Sequence, residues 1–368
     1  MSGAIHPAAD SERKRVGLVF NKDVRRRYIG ANDLARLEAV ADVSYREFSI
    51  REETNGPVDR DAQAESELAT FARDLDVLII CEGSPFVSRE VLAGAERLTL
   101  LGELDGDRFS YRLDIAAAQE RGVVVVDMSH ASSYPTAEWA LGLALVGRRN
   151  AGAFFRKMIA HEPPFSVPYE KRSGPGYDAA ELSGKRVGMI GFGHLARRLV
   201  DLLRPFRCPI VAFDPYAPRV LAEPYGIRFA PLDTVMGSDV VFVLAPLTPS
   251  TEGMLGSREL DLLAPGSVFV NVSRGKIVNG DALLARLRRG DVVACLDVFD
   301  PEPVPLDSPI ADLPNVFITP HLAGVTEESR RRFFTLMVDE CLHHFDGFEL
   351  DGTITTDSVR LSPGRNSP

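Results

Sequence analysis

The stretch Lys185-Arg-Val-Gly-Met-Ile-Gly191-Phe-Gly-His-Leu-Ala196 decides how the rest of the chain reads. The apolar run at 187–190 predicts a short buried strand, and the pattern at 197–203 predicts a helix. Strand, glycine turn and helix in that order form a dinucleotide-binding fingerprint. Gly191 permits the tight turn, Gly193 lets a pyrophosphate approach the main chain, and Ala196 is small enough for helix and strand to pack closely. Phe192, His194 and Leu195 complete the loop, where the first helical amides and the helix dipole favour an anion. A glycine-rich turn can equally be only a turn. Asp214 tips the balance, because it ends the next expected strand, 210–213, and stands 23 residues after Gly191. An acidic side chain there can accept hydrogen bonds from an adenosine ribose and repels a 2′-phosphate, so NAD is expected over NADP. Asp214-Pro215 also reads as a turn, and nearby Arg219 weakens the preference for NAD.

Composition narrows the field. At 368 residues the chain is long enough for two domains, and its 45% apolar and 26% charged residues fit a soluble globular protein. A formal net charge of -10 argues against a nucleic-acid or membrane-surface role. No apolar run approaches the ~20 residues of a membrane span. The polar start, residues 1–14, lacks the apolar core of a signal peptide. Cys81, Cys208, Cys295 and Cys341 are scattered without metal-type or CxxC spacing, so buried free thiols and no metal are expected. A reducing cytoplasm fits them.

The termini, 1–14 and beyond about Ser358, read as disordered. Between them strands and helices alternate, which implies parallel sheets covered by helices. Strands are expected at 16–20, 43–48, 77–81, 98–101 and 123–127, then at 187–190, 210–213, 240–245, 267–272, 292–296 and 316–319. Helices are expected at 33–40, 65–75, 134–148, 151–160 and 281–289, with a last one at 327–344 carrying an apolar stripe. The Pro/Gly-rich stretch 162–176 reads as a long loop at a subunit contact. The expected fold class is α/β: two Rossmann-like or flavodoxin-like doubly wound parallel-sheet domains with a ligand cleft between them.

Three loops follow strands of the second unit, and the carboxyl ends of parallel strands line ligand crevices. They are 271–275 with Arg274, 296–303 with Glu302, and 319–324 with His321. Arg274 can hold a carboxylate bidentately and polarise the adjacent carbonyl. His321 can give a proton to a ketone oxygen, or take one from a hydroxyl, while hydride moves to or from a nicotinamide. A carboxylate from Glu302 would favour imidazolium and fix the ring. Each also has a bland reading: a helix-start surface charge, a solvated loop residue and a turn histidine.

The whole set resembles the NAD-dependent D-2-hydroxyacid dehydrogenase family. The family's glycine loop, Pro-Leu-Thr loop, Ser-Arg-Gly turn, Asp-Val-Phe…Glu-Pro segment and Thr-Pro-His turn recur in order at 191–196, 246–248, 273–275, 297–303 and 319–321. Pro135-Thr136-Ala137-Glu138 resembles the family's entry into the cofactor domain. The resemblance covers roughly Leu98 to the last helix. It implies interconversion of a 2-keto acid and a D-2-hydroxy acid, with Arg274, Glu302 and His321 as the catalytic set. It also implies cofactor contacts at Thr136, Pro246, Thr248, Val272, Ser273, Arg274, Asp297, His321 and Gly324, with Asp297 against the nicotinamide carboxamide. A discontinuous substrate domain, 1–130 with 325–368, is implied around a cofactor domain at 131–324. A homodimer formed through the region 134–181 is implied as well.

The chain departs from the pattern after Leu101. Where the family has a small glycine-rich loop that grips the substrate carboxylate, this chain has Gly102-Glu-Leu-Asp-Gly-Asp-Arg108-Phe-Ser-Tyr-Arg112. Leu104, Asp105, Gly106 and Arg108 are the expected substrate contacts, together with Arg274. Glu103, Asp105 and Asp107 would oppose an anion unless Arg108 or Arg112 neutralises them. One reading is a solvated acidic turn, and the other an altered substrate that meets an arginine. His194 can sit near the pyrophosphate and His130 near the substrate; the remaining histidines read as surface or packing residues. Glyoxylate, hydroxypyruvate, pyruvate, phosphoglycerate-type acids and a specialised keto acid all fit. A formate dehydrogenase-like activity is disfavoured, since that subgroup carries Gln where this chain has Glu302. Phosphite oxidation and a corepressor-like NAD sensor are the alternatives.

Overall fold

A computed structural model describes residues 12–51, 58–106, 111–161 and 181–356. The chain divides into two units, one from the described parts of 1–131 and 330–360, the other from those of 132–329. The expected loop at 162–176 and Arg108 lie outside the described residues.

The first unit holds β1 (Lys14–Phe20), β2 (Ala41–Glu47), β3 (Val77–Ile80), β4 (Leu100–Glu103) and β5 (Val124–Asp127). They form one sheet in the order β2-β1-β3-β4-β5, every pair parallel. β3 is Val-Leu-Ile-Ile and wholly buried, the composition of a strand covered on both faces. β2 alternates exposure and sits at the edge. Helix Glu327–Asp346 supplies Phe333, Phe334, Met337, Val338 and Cys341 to this core. Each such buried side chain contributes about 1.5–3 kcal/mol. Gly102 makes room for it, because a Cβ there would lie 2.4 Å from the Met337 sulfur.

The second unit holds β6 (Val187–Ile190), β7 (Ile210–Phe213), β8 (Arg228–Phe229), β9 (Val240–Val243), β10 (Val268–Asn271), β11 (Val293–Leu296) and β12 (Val316–Ile318). Their order is β12-β11-β10-β9-β6-β7-β8, again all parallel. The order reverses between β6 and β9, which places a topological switch point beside the glycine loop. Helix Ser133–Arg148 lies close against β10, since a Cβ on Gly147 would stand 2.5 Å from Val268.

Three differences from the sequence expectation matter. Helix Lys22–Tyr28 was not expected, because its polar run buries Val24 alone; Asn21 starts it by accepting from the Val24 amide at 2.9 Å. β8 is only two residues long, too short for a periodic signal. β4 runs to Glu103 rather than ending at 101, so the loop after it is shorter than the sequence suggested.

Cys81, Cys295 and Cys341 are buried and free, and burial pushes the thiols of Cys295 and Cys341 up to about 12. Among the described residues no helix is long and apolar enough to cross a membrane.

Candidate active site

The glycine loop is built by backbone approach. Gly191 has φ +94° and lies so close to the exit of β9 that a Cβ would meet Ala245 Cα at 2.7 Å. A Cβ on exposed Gly193 would meet nothing within 4 Å, so open space faces the start of helix His194–Leu203. Among the described residues no side-chain hydrogen bond caps that helix start. Half-buried Asp214 accepts from the Phe192 amide through Oδ2 at 2.8 Å, and from the Tyr216 and Ala217 amides through Oδ1 at 2.9 Å. It therefore forms the turn and reaches back to the loop at once. Oδ2 takes one donor among the described residues, which leaves capacity for a ribose hydroxyl. An open glycine, an uncapped helix start and a carboxylate at the next strand end fit a dinucleotide.

The Ser-Arg-Gly turn is fixed on both sides. The Ser273 hydroxyl donates to the Ala245 carbonyl, tying the exit of β10 to that of β9. The side chain of buried Asn271 accepts from the Ser273 amide at 3.1 Å and donates to the Arg274 carbonyl at 3.1 Å. Gly275 then passes so near the next loop that a Cβ would stand 1.9 Å from the Phe299 oxygen. That contact brings the turn carrying Arg274 against the loop carrying Glu302. Arg274 is half-buried, and its Nη1 donates to the Ser273 carbonyl at 2.8 Å.

Glu302 and His321 meet directly. Glu302 Oε2 is 2.8 Å from His321 Nδ1, and Oε1 accepts from the Phe299 amide at 2.8 Å. Burial works to raise the Glu302 carboxyl, but the His321 and Phe299 hydrogen bonds, with positive charge from His321 and Arg274, hold it below the usual carboxylate range. With Glu302 ionised, Nδ1 carries the proton toward it, and Nε2 is the nitrogen left for a reacting group.

The His321 turn is gripped by Asp297. His321 has φ +50°, and its amide donates to the Asp297 carbonyl at 2.9 Å. The Asp297 carboxylate accepts from the Leu322 and Ala323 amides at 3.1 and 2.9 Å and from the Thr319 hydroxyl at 2.5 Å. It is 0% exposed, and its carboxylate is taken up by the 319–323 turn. Sequence reasoning missed the residue beyond: the Trp139 indole N–H donates to the Thr319 hydroxyl at 3.3 Å. It also missed the pinning role of Asn271.

Other expected contacts fall as follows. Thr248 is buried in a knot with Ser250 and Thr251, and Pro246 is exposed, its carbonyl accepting from Thr251 at 2.7 Å. Gly324 lies beside Thr136, whose hydroxyl stands 3.4 Å from where a Cβ would be. His194 opens its helix, and Leu195 is half-buried behind it. The side chains of Phe192, Val272 and Leu104 belong to the hydrophobic cores, so only their main chain can face a ligand. A cavity of about 550 Å³ does open behind Gly275 and Phe299, but Arg274, Glu302 and His321 do not line it.

In the first unit an arginine is folded into the acidic loop. Glu103 is 0% exposed, and Arg112 donates to its carboxylate at 2.7 Å and to the Asp105 carbonyl at 2.9 Å. The Tyr28 hydroxyl donates to Asp105 at 3.2 Å. Gly106 closes on this cluster: a Cβ would lie 2.3 Å from the Glu103 carboxylate and 2.7 Å from that of Asp127. For Glu103 the solvated acidic turn is thus overturned, because its charge is folded into the end of β4; Asp107 lies outside the described residues.

Comparison with known proteins agrees with this geometry. Residues 142–323 match the family model described as D-isomer specific 2-hydroxyacid dehydrogenase, NAD binding domain. The chain is 31% identical over 277 residues to a D-3-phosphoglycerate dehydrogenase from Methanocaldococcus jannaschii, covering 74% of this chain and 50% of that one. It is 26% identical over 294 residues to a glyoxylate reductase from Korarchaeum cryptofilum, covering 79% and 86%. The crystal structure of a D-isomer specific 2-hydroxyacid dehydrogenase from Lactobacillus delbrueckii ssp. bulgaricus, in an NAD-complexed form, shares the fold with a TM-score of 0.68 at 20% identity, covering 93% of this chain and 100% of that one. The chain spans about half the length of the phosphoglycerate dehydrogenases it matches. The chain belongs to the D-2-hydroxyacid dehydrogenase family, and residues 142–323 carry that family's NAD binding domain.

Proposed function

We propose that the chain is an NAD-dependent dehydrogenase interconverting a 2-keto acid and a D-2-hydroxy acid. The observation that carries the reading is the 2.8 Å contact between Glu302 and His321, on a loop pressed against the turn of Arg274. When bound, the nicotinamide supplies or accepts the hydride. Arg274 binds the substrate carboxylate and draws electron density from the neighbouring carbonyl. His321 gives a proton from Nε2 to the ketone oxygen in reduction and takes it from the hydroxyl in oxidation. Glu302 holds the ring through Nδ1 and fixes its orientation. The glycine loop and Asp214 receive the dinucleotide, with NAD favoured over NADP by the Asp214 charge.

In this reading 131–324 is the cofactor domain, and 1–130 with 325–368 chooses the substrate. Arg274 binds the substrate anion in this reading, while Arg112 pairs with Glu103. A cytoplasmic homodimer completes the proposal. Four free cysteines suit a reducing compartment, and Phe155, Met158 and Ile159 on helix Ala151–Ile159 are 61%, 47% and 62% exposed.

The test follows NADH absorbance with glyoxylate, hydroxypyruvate, pyruvate and phosphohydroxypyruvate, and follows NAD reduction with formate and phosphite. Turnover of a keto acid that is lost in His321→Asn supports the reading. Turnover of phosphite alone replaces it with phosphite oxidation. NADH binding without any turnover replaces it with an NAD sensor.

A further inference from the structure

We propose that Trp139 is a positioning residue for His321, acting through Thr319 and Asp297. The inference rests on the reading of His321 as the acid and base. Trp139 lies on helix Ser133–Arg148, while the other three follow β11 and β12. The polarity of the chain is fixed by its members. An indole N–H can only donate, and a carboxylate can only accept. The Thr319 hydroxyl between them therefore accepts from Trp139 at 3.3 Å and points its single proton at Asp297 Oδ1, 2.5 Å away.

Asp297 passes this constraint to the turn. Its carboxylate holds the amides of Leu322 and Ala323, and its carbonyl holds the amide of His321. Three consecutive main-chain donors, starting at His321, thus end on one residue. His321 needs that grip, because its left-handed backbone at φ +50° is disfavoured for a side-chain-bearing residue. Without the indole donor the hydroxyl can rotate, Oδ1 loses its most constrained partner, and the ring drifts from the geometry set by Glu302. Small displacements of a proton donor are costly to rate and cheap to stability. Trp139 should therefore affect kcat more than folding or cofactor binding.

The test compares Trp139→Phe, which keeps an aromatic ring and removes the N–H, with Thr319→Val and Thr319→Ser. Trp139→Phe should lower kcat about tenfold with the NADH KM unchanged, in line with one hydrogen bond made fully only in the aligned state. Thr319→Val should lose more, Thr319→Ser should restore most of that loss, and the Trp139→Phe/Thr319→Val double variant should match Thr319→Val alone. Losses that multiply in the double variant, or a raised NADH KM at constant kcat, overturn the proposal. Amide hydrogen exchange provides a readout independent of turnover. Exchange at Leu322 and Ala323 should quicken in Trp139→Phe, and unchanged exchange there overturns the proposal whatever substrate the protein takes. If exchange quickens while wild-type protein turns over no keto acid, the hydrogen-bond chain stands and the dehydrogenase reading alone fails.

Discussion

Arg274 with Glu302 in the seven-stranded unit, and Arg112 with Glu103 in the five-stranded unit, are the same two side-chain types brought together beyond or at the ends of parallel strands. Their surroundings differ. Glu103 is 0% exposed and its partner arginine 12%, and the guanidinium sits 2.7 Å from the carboxylate. Glu302 is 28% exposed and bonds to a histidine and a main-chain amide, while Arg274 acts on it only through charge. The first arrangement uses up both charges. The second keeps the arginine off the carboxylate by fixing each loop through main chain, at Gly275 against Phe299 and at Asn271 against the Arg274 carbonyl. In the second arrangement main-chain contacts, rather than attraction between the two charged side chains, hold the loops together.

That contrast can be broken in order of expected effect. His321→Asn should cut turnover about a thousandfold while NADH still binds, since a positioned proton donor contributes on that scale. NADH binding by fluorescence together with steady-state rates checks it, and a small loss would move the chemistry elsewhere. Arg112→Gln should cost about 3 kcal/mol in urea unfolding, because it leaves Glu103 enclosed without its guanidinium. The Arg112→Gln/Glu103→Gln pair should recover much of that. An Arg112→Gln protein with ordinary stability and an altered keto-acid KM would erase the distinction between the two pairs.

Glu302 gives a pH-dependent version. Its folded carboxyl lies below the usual carboxylate range, so its contribution is complete above the ordinary value of 4.5 and fades as pH falls through the lower folded value. The difference in unfolding free energy between wild type and Glu302→Gln should be flat from neutrality to about pH 4.5 and close below it. A difference that closes near neutrality would contradict the lowered value. Asp214→Asn keeps the turn-forming oxygen and removes the charge. It should raise the NADH KM about threefold and reduce discrimination against NADPH, measured as the ratio of kcat/KM values.

The seven-stranded unit was legible because each of its motifs sits in a run of a few residues after a strand. Gly191, Asp214, Arg274, Glu302 and His321 could all be placed from local pattern and spacing. What escaped depends on tertiary approach. Trp139 and Thr319 are 180 residues apart, and nothing local to either announces the hydrogen bond between them. Gly275 stood in a recognised motif, yet its reason is the Phe299 oxygen that would lie 1.9 Å from a Cβ. In the five-stranded unit Glu103 read as loop because a carboxylate seldom ends a buried strand; its pairing with Arg112 made that placement possible.

The left-handed backbone at residue 321 sets function against thermal endurance. At φ +50° an imidazole-bearing residue accepts a conformational penalty of roughly 1–2 kcal/mol that glycine largely escapes. A chain selected only to resist heat would not keep histidine in that place. Glycine at 321 would relieve that penalty while giving up the Glu302 hydrogen bond and the turnover, so the melting temperature should move little, and the site's chemistry would be the reason the disfavoured backbone is kept.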